Sequence, residues 1–239
     1  MINPVAELRD FFGAAVVNPV ERDHHESAEA LVQRRWISSV TLAVGSFMLA
    51  LTLRLQPGDP AFYATTLALA ATWVVGGMLS GKIHLGRSHT RSGGTDGRGI
   101  VQAVILGALL LAAFLAGAAL VASVPVLRDP LVVLLAHARY GILPVVAVLT
   151  ALIAIGEEIF FRGALYAAVG GRQALLVTTL VYALTTIPSG IPLMVVAAAL
   201  LGVVAGLQRR VTGGVLGPII THLIWSLGLL FLLPLVLGA

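Results

Sequence analysis

Glu157, Glu158 and Arg162 stand together in "GEEIFFRG", residues 156–163, inside an otherwise apolar run. A carboxylate in such surroundings can bind a cation, carry a proton or serve as a general base. A charge near the centre of a spanning helix costs about 2.5–3.5 kcal/mol on insertion scales, so three charges need compensation. Glu158 and Arg162 are i, i+4 neighbours in the favoured order and can pair. Glu157 lies about 100° further round a helix, with no partner close in sequence. The plainer reading is a cluster snorkelling at the interface. Against it, the apolar pattern continues through "GALYAAVGG" to Gly170 or Gly171. Glu158 then lies about 12 residues, or ~18 Å, inside that helix end.

Other polar groups fall at similar depth. "PIITHLIWS" carries His222 about 12 Å in from Gly214, with Ser226 one turn later on the same face. The run ending "VYALTTIPSG" carries Thr185 and Thr186 about 17–18 Å from Ala174. A diacid, a histidine and a hydroxyl set therefore converge, in a pocket expected to open toward the cytoplasm.

The elements that must hold these residues follow from composition. The chain has 239 residues, 58% hydrophobic and 11% charged, with mean hydropathy +0.98. Soluble domains carry about 25% charged residues, so the expected class is an all-α polytopic membrane bundle. Judged against the ~30 Å of hydrocarbon a span must cross, apolar runs at 36–53, 62–80, 100–124, 142–168, 174–187, 191–207 and 215–236 make seven spans, of which 174–187 and 191–207 are short. "DPLVVLLAHARYG", 129–141, is too short and reads as a surface or re-entrant turn, with His137 interfacial. The expected organisation is a polar N-terminal segment (1–35), three spans with a basic loop (36–128) and a membrane domain carrying the chemistry (129–239). The first 35 residues lack the pattern of a signal peptide.

Arg34, Arg35, Lys82, Arg87, Arg91, Arg98, Arg172, Arg209 and Arg210 fall on one side, and Arg54, Arg128 and Arg139 on the other. The positive-inside rule then sets the N-terminus in the cytoplasm. The pI near 10.1 reflects this orientation rather than nucleic-acid binding, and no nucleic-acid partner is expected. Lys82 is the sole lysine among 15 basic residues, a bias suited to a GC-rich bacterial genome and hence a bacterial cytoplasmic membrane. With no cysteine, disulfides and thiolate chemistry are excluded. Loop 81–99 is glycine-rich and reads as a flexible linker. His24, His25, His84 and His89 read as solvated rather than metal ligands. Ala108, Ala112 and Ala116, like Ala198, Gly202 and Gly206, form small-residue ladders that argue for close helix packing.

"EEIFFR" and "TGGVLGPIITHLIWS" together resemble the motifs of the CPBP intramembrane proteases, the family of type II CAAX prenyl proteases and bacteriocin-processing proteins. The resemblance covers residues 142–236. It implies that Glu157 activates a hydrolytic water, that Glu158 with Arg162 braces it, and that His222 polarises the scissile carbonyl or stabilises its oxyanion. The implied activity is endopeptidase cleavage of a peptide or membrane-anchored protein, in contact with membrane lipid. Two positions depart from the family. Ser226 stands where an Asn is usual, and a hydroxyl can still donate. The middle motif, Phe-x-x-x-His, is "YALTT" here, with Tyr182 for Phe and Thr186 for His. Zinc, which the resemblance would allow, usually takes three protein ligands, and Glu157 and His222 supply two, so no metal or cofactor is expected.

Three other readings compete. The missing histidine suits a pseudoprotease of the same fold, acting as a binding, immunity or scaffold protein. A serine protease from Ser189 and His222 would need two residues from opposite ends of the bundle. A proton-coupled transporter would need inverted halves or paired broken helices, which are absent from the sequence.

Overall fold

A computed structural model describes residues 3–90 and 94–238; Arg91, counted above among the basic residues, lies outside the described residues. Among the described residues the fold is helical, with one isolated β-bridge between Ser88 and Gly97. The helices are α1 (Pro4–Phe12), α2 (Ala28–Thr52), α3 (Ala61–Leu79), α4 (Ile100–Val121) and α5 (Pro125–Tyr140), then α6 (Leu143–Val169), α7 (Ala174–Thr185), α8 (Pro192–Thr212) and α9 (Leu216–Leu237). Six of them, α2, α3, α4, α6, α8 and α9, are long and apolar enough to cross a membrane. Their outward faces carry large apolar side chains such as Phe47, Leu67, Leu120 and Leu235. Apolar surface at that density is stable only in lipid. The chain is an integral membrane protein.

The seventh expected span is shorter than a full crossing. α7 has 12 residues, about 18 Å, and continues only as a 3-10 turn, Ile187–Ser189. Pro188 cannot donate to the ladder and Gly190 takes φ +68°, so the chain turns there and enters α8 at Pro192. α5 does not cross. It carries Pro130 internally, and Arg128 donates to the Leu237 carbonyl at 3.0 and 3.1 Å, tying α5 to the end of α9. His137 contacts the Leu55 carbonyl at 3.1 Å.

Close approach of helices is set by glycine. A Cβ at Gly45 would meet the Trp73 ring at 2.2 Å, and one at Gly156 would meet the Ala70 carbonyl at 3.1 Å. Trp73 is thereby brought against Phe160 (4.7 Å between centroids) and Phe161 (5.2 Å), forming the buried aromatic centre of the bundle. The ladder on α8 behaves as expected: Gly202 accommodates Thr179 and Gly206 accommodates Leu175 of the antiparallel α7. The ladder on α4 does not. Ala108, Ala112 and Ala116 face outward, while Ala103, Leu106 and Gly107 meet α9 in parallel packing. Spacing of small residues marked a stripe in both helices, but in α4 the adjacent face, with Ala103, Gly107 and Leu111, forms the interface.

Loop 81–99 is also not a free linker. Val215 N–H donates to the His84 carbonyl at 2.9 Å, Leu216 N–H to Leu85 at 3.1 Å, and Arg87 N–H to Thr212 at 2.9 Å. Gly86 fits against Gly214 so closely that a Cβ at Gly214 would fall 2.0 Å from Leu85 and Gly86 backbone. The N-terminal segment joins the same layer through Val20 N–H to Val211 (2.9 Å) and Arg22 to the Arg210 and Val211 carbonyls (2.7 and 3.2 Å). His24 stacks on His84 at 3.7 Å, and Arg34 pairs with Glu26. Together these segments strap the end of the bundle where the arginines gather.

Candidate active site

The α-helical bonding of α6 gives way at Glu158 to a π-helical stretch, Glu158–Leu165, in which Tyr166 N–H reaches back five residues to the Phe161 carbonyl. Such wide turns concentrate at functional sites because they reorient side chains and loosen backbone carbonyls. Here the Arg162 carbonyl accepts from Arg209 Nε of α8 at 2.6 Å. The stretch is buried: Phe160 and Phe161 face Trp73, and Ile83 of the strap lies against Gly163.

The polar groups form one connected set. Glu158 Oε1 accepts from Arg162 Nη1 at 3.1 Å and lies 2.8 Å from His222 Nδ1, which reaches it from α9. All three side chains are buried. With Glu158 ionised the bond is Nδ1–H to carboxylate, which fixes the ring and aims Nε2 away from Glu158. Glu157 takes a separate partner: the Tyr182 hydroxyl of α7 donates to its Oε2 at 2.6 Å. Tyr182 is itself held between the Arg162 guanidinium (4.7 Å from the ring centre) and Phe161 (4.8 Å). His222 Nε2 and Glu157 Oε2 face each other across 4.0 Å.

The set refines the expected arrangement. Glu157, Glu158, Arg162 and His222 come together, but Glu158 and Arg162 brace the histidine rather than Glu157. Ser226 lies one turn beyond His222 with its hydroxyl buried and without a protein partner. Thr186 does not join: its hydroxyl donates to the Ala183 carbonyl at 2.7 Å, within the last turn of its own helix. Ser189 accepts from Ile191 N–H at 3.1 Å in the α7–α8 turn, remote in the fold from His222. Tyr182 is the site residue that sequence reasoning passed over, although a phenol inside an apolar helix needs a hydrogen-bond partner and could have been flagged on that ground. In place of the expected open pocket the set is buried in this structure, with Ile83 of the strap lying against Gly163. Two cavities, of about 520 Å³ beside α5 and about 420 Å³ between α2 and α3, lie elsewhere.

The residues present do not fit a catalytic zinc. Such a site takes three protein ligands. Glu157 and His222 Nε2 face each other, whereas Glu158 sits at the Nδ1 side of the ring, its Oε1 bonded to Nδ1 and Arg162 and its Oε2 buried without a protein partner. Among the described residues no group of three or more His, Asp or Glu side chains could hold a metal ion.

Residues 139–228 match the family described as Type II CAAX prenyl endopeptidase Rce1-like. The matched stretch runs from the end of α5 through the first half of α9 and contains every residue of the buried polar set. Over this stretch the chain is similar to the CAAX-protease-like family. No curated protein and no solved structure matches the chain.

Proposed function

We propose that the chain is an intramembrane endopeptidase that cleaves a peptide bond of a membrane-associated protein or peptide with a glutamate-activated water. The observation that carries this reading is the 4.0 Å gap between Glu157 Oε2 and His222 Nε2. It is too long for a direct hydrogen bond, and a single water bonded to both groups spans it. In the proposed reaction Glu157 takes a proton from that water as its oxygen attacks the scissile carbonyl carbon. His222, steadied at Nδ1 by Glu158, stabilises the developing oxyanion from Nε2. Glu157 then delivers its proton to the leaving nitrogen as the C–N bond breaks, releasing a carboxyl and an amine. The chemistry takes no metal. Ser226, whose hydroxyl has no protein partner, supplies a second donor near His222.

The arginine-rich end faces the cytoplasm in this proposal, which follows the positive-inside rule, and the host membrane is a bacterial cytoplasmic membrane. The test is cleavage of a quenched peptide library by the purified full chain in detergent. Cleavage by wild type and its loss in Glu157→Ala is the expected result; equal cleavage by both would remove Glu157 from the chemistry.

A further inference from the structure

Glu157 would be poorly placed to act as a base if its carboxylate could rotate freely. Three features of the site address that. Tyr182 Oη donates to Oε2 at 2.6 Å, the one side-chain hydrogen bond that Glu157 makes among the described residues. The phenol ring cannot follow a swinging carboxylate, because Arg162 covers one part of it at 4.7 Å and Phe161 packs at 4.8 Å. The oxygen it holds is the one that faces His222 Nε2. The neighbouring polar groups bond elsewhere: Glu158 Oε1 accepts from Arg162 and lies against His222 Nδ1, and the Thr186 hydroxyl, one turn beyond Tyr182, bonds its own backbone.

We propose that Tyr182 is the positioning residue of Glu157, fixing through its hydroxyl which carboxylate oxygen faces the reacting water. This rests on the endopeptidase reading, but its geometry does not depend on the substrate. A hydrogen bond to a charged group of this kind is worth about 10- to 100-fold when removed. Loss of position rather than of binding places that loss in kcat.

The experiment compares wild type with Tyr182→Phe, both as the full chain, and with 3-fluorotyrosine incorporated at position 182. Two readouts are taken: peptide cleavage, and the rate at which the apolar reagent dicyclohexylcarbodiimide labels Glu157 and Glu158, resolved by mass spectrometry. Tyr182→Phe is expected to lower kcat by about 10- to 100-fold with KM little changed, and to make Glu157 label faster while Glu158 labels as before. Fluorotyrosine, which keeps both ring and hydroxyl, restores the wild-type pattern and shows that the phenylalanine effect is not misfolding. If Tyr182→Phe changes neither kcat nor the labelling of Glu157, the proposal fails. If wild type cleaves no peptide yet Glu157 labels faster in Tyr182→Phe, the positioning contact stands and the endopeptidase reading falls.

Discussion

Two clusters of charged and titratable side chains lie near the arginine-rich end of the bundle, and they are built in opposite ways. In the first, Glu157, Glu158, Arg162 and His222 come from the helices α6 and α9, are buried, and are joined side chain to side chain. In the second, Arg22, His24 and His84 come from the strap, and its attachments run through backbone carbonyls and a ring stack. Helices fix where a side chain starts, so a few buried bonds fix where it ends, and the result is a preorganised set. Irregular segments hold by backbone bonds that can be broken singly without disturbing the core. The first construction suits chemistry, and the second suits closure.

The comparison can be broken at either cluster. The largest effect belongs to Glu157→Gln, which keeps size and packing but removes the proposed base; kcat is expected to fall about 10²–10⁴-fold with the fold retained by size-exclusion chromatography. Next is Arg162→Leu. It removes one of the two partners of the buried Glu158 carboxylate and leaves His222 as the other. Breaking a buried pair costs about 3–5 kcal/mol, read as a large fall in thermal midpoint in detergent. Gly214→Ala attacks the strap instead, because the added Cβ would sit 2.0 Å from Leu85 and Gly86 backbone. Overpacking of that kind costs about 1–3 kcal/mol. Faster proteolysis within 81–90, with the thermal midpoint of the bundle nearly unmoved, is the expected signature.

The smallest effect is a pH dependence of the strap. Burial, then the charges of His84, Arg209 and Arg22, pushes His24 down to about 4, despite the opposing Asp23. His84 is lowered by burial and by Lys82, Arg209 and Arg34, against Glu26. Both rings bind protons more weakly when docked than when free, so docking is favoured above the ordinary histidine range. It weakens as pH falls from about 6.5 toward about 4. The protection factors of residues 82–88, which are exchange rates corrected for the intrinsic pH dependence of amide exchange, should therefore fall at pH 5 relative to pH 7.5. The change should shrink in a His24→Phe variant, which leaves only His84 to titrate. Protection factors independent of pH would mean that the ring stack does not hold the strap.

Much of the bundle could be read from the sequence, because apolar runs of membrane length are a local signal. α2, α3, α4, α6, α8 and α9 follow those runs closely. α7 is shorter than its run: residues 174–187 are largely apolar, but the regular helix ends at Thr185, ahead of Pro188 and Gly190. Ala108, Ala112 and Ala116 were misjudged because spacing gives a stripe without saying what faces it. In the site, the polar residues were visible as charges and a histidine in apolar runs, whereas their pairing was not. The i, i+4 rule joined Glu158 to Arg162 correctly, but His222 and Tyr182 arrive from α9 and α7, and no local pattern specifies contacts across 64 and 25 residues. The strap was invisible for a related reason. Glycine-rich polar loops look alike whether solvated or docked, and the docking of 84–87 is carried by backbone atoms that every residue shares.

The central claim is that water held between Glu157 and His222 cuts a peptide bond. It is tested most directly by reconstituting wild type and Glu157→Gln in vesicles with membrane-tethered peptides in ¹⁸O-water and sequencing the new termini by mass spectrometry. The account predicts discrete new carboxyl termini carrying ¹⁸O in the wild-type sample, absent with Glu157→Gln. The same labelled termini from both proteins would contradict it.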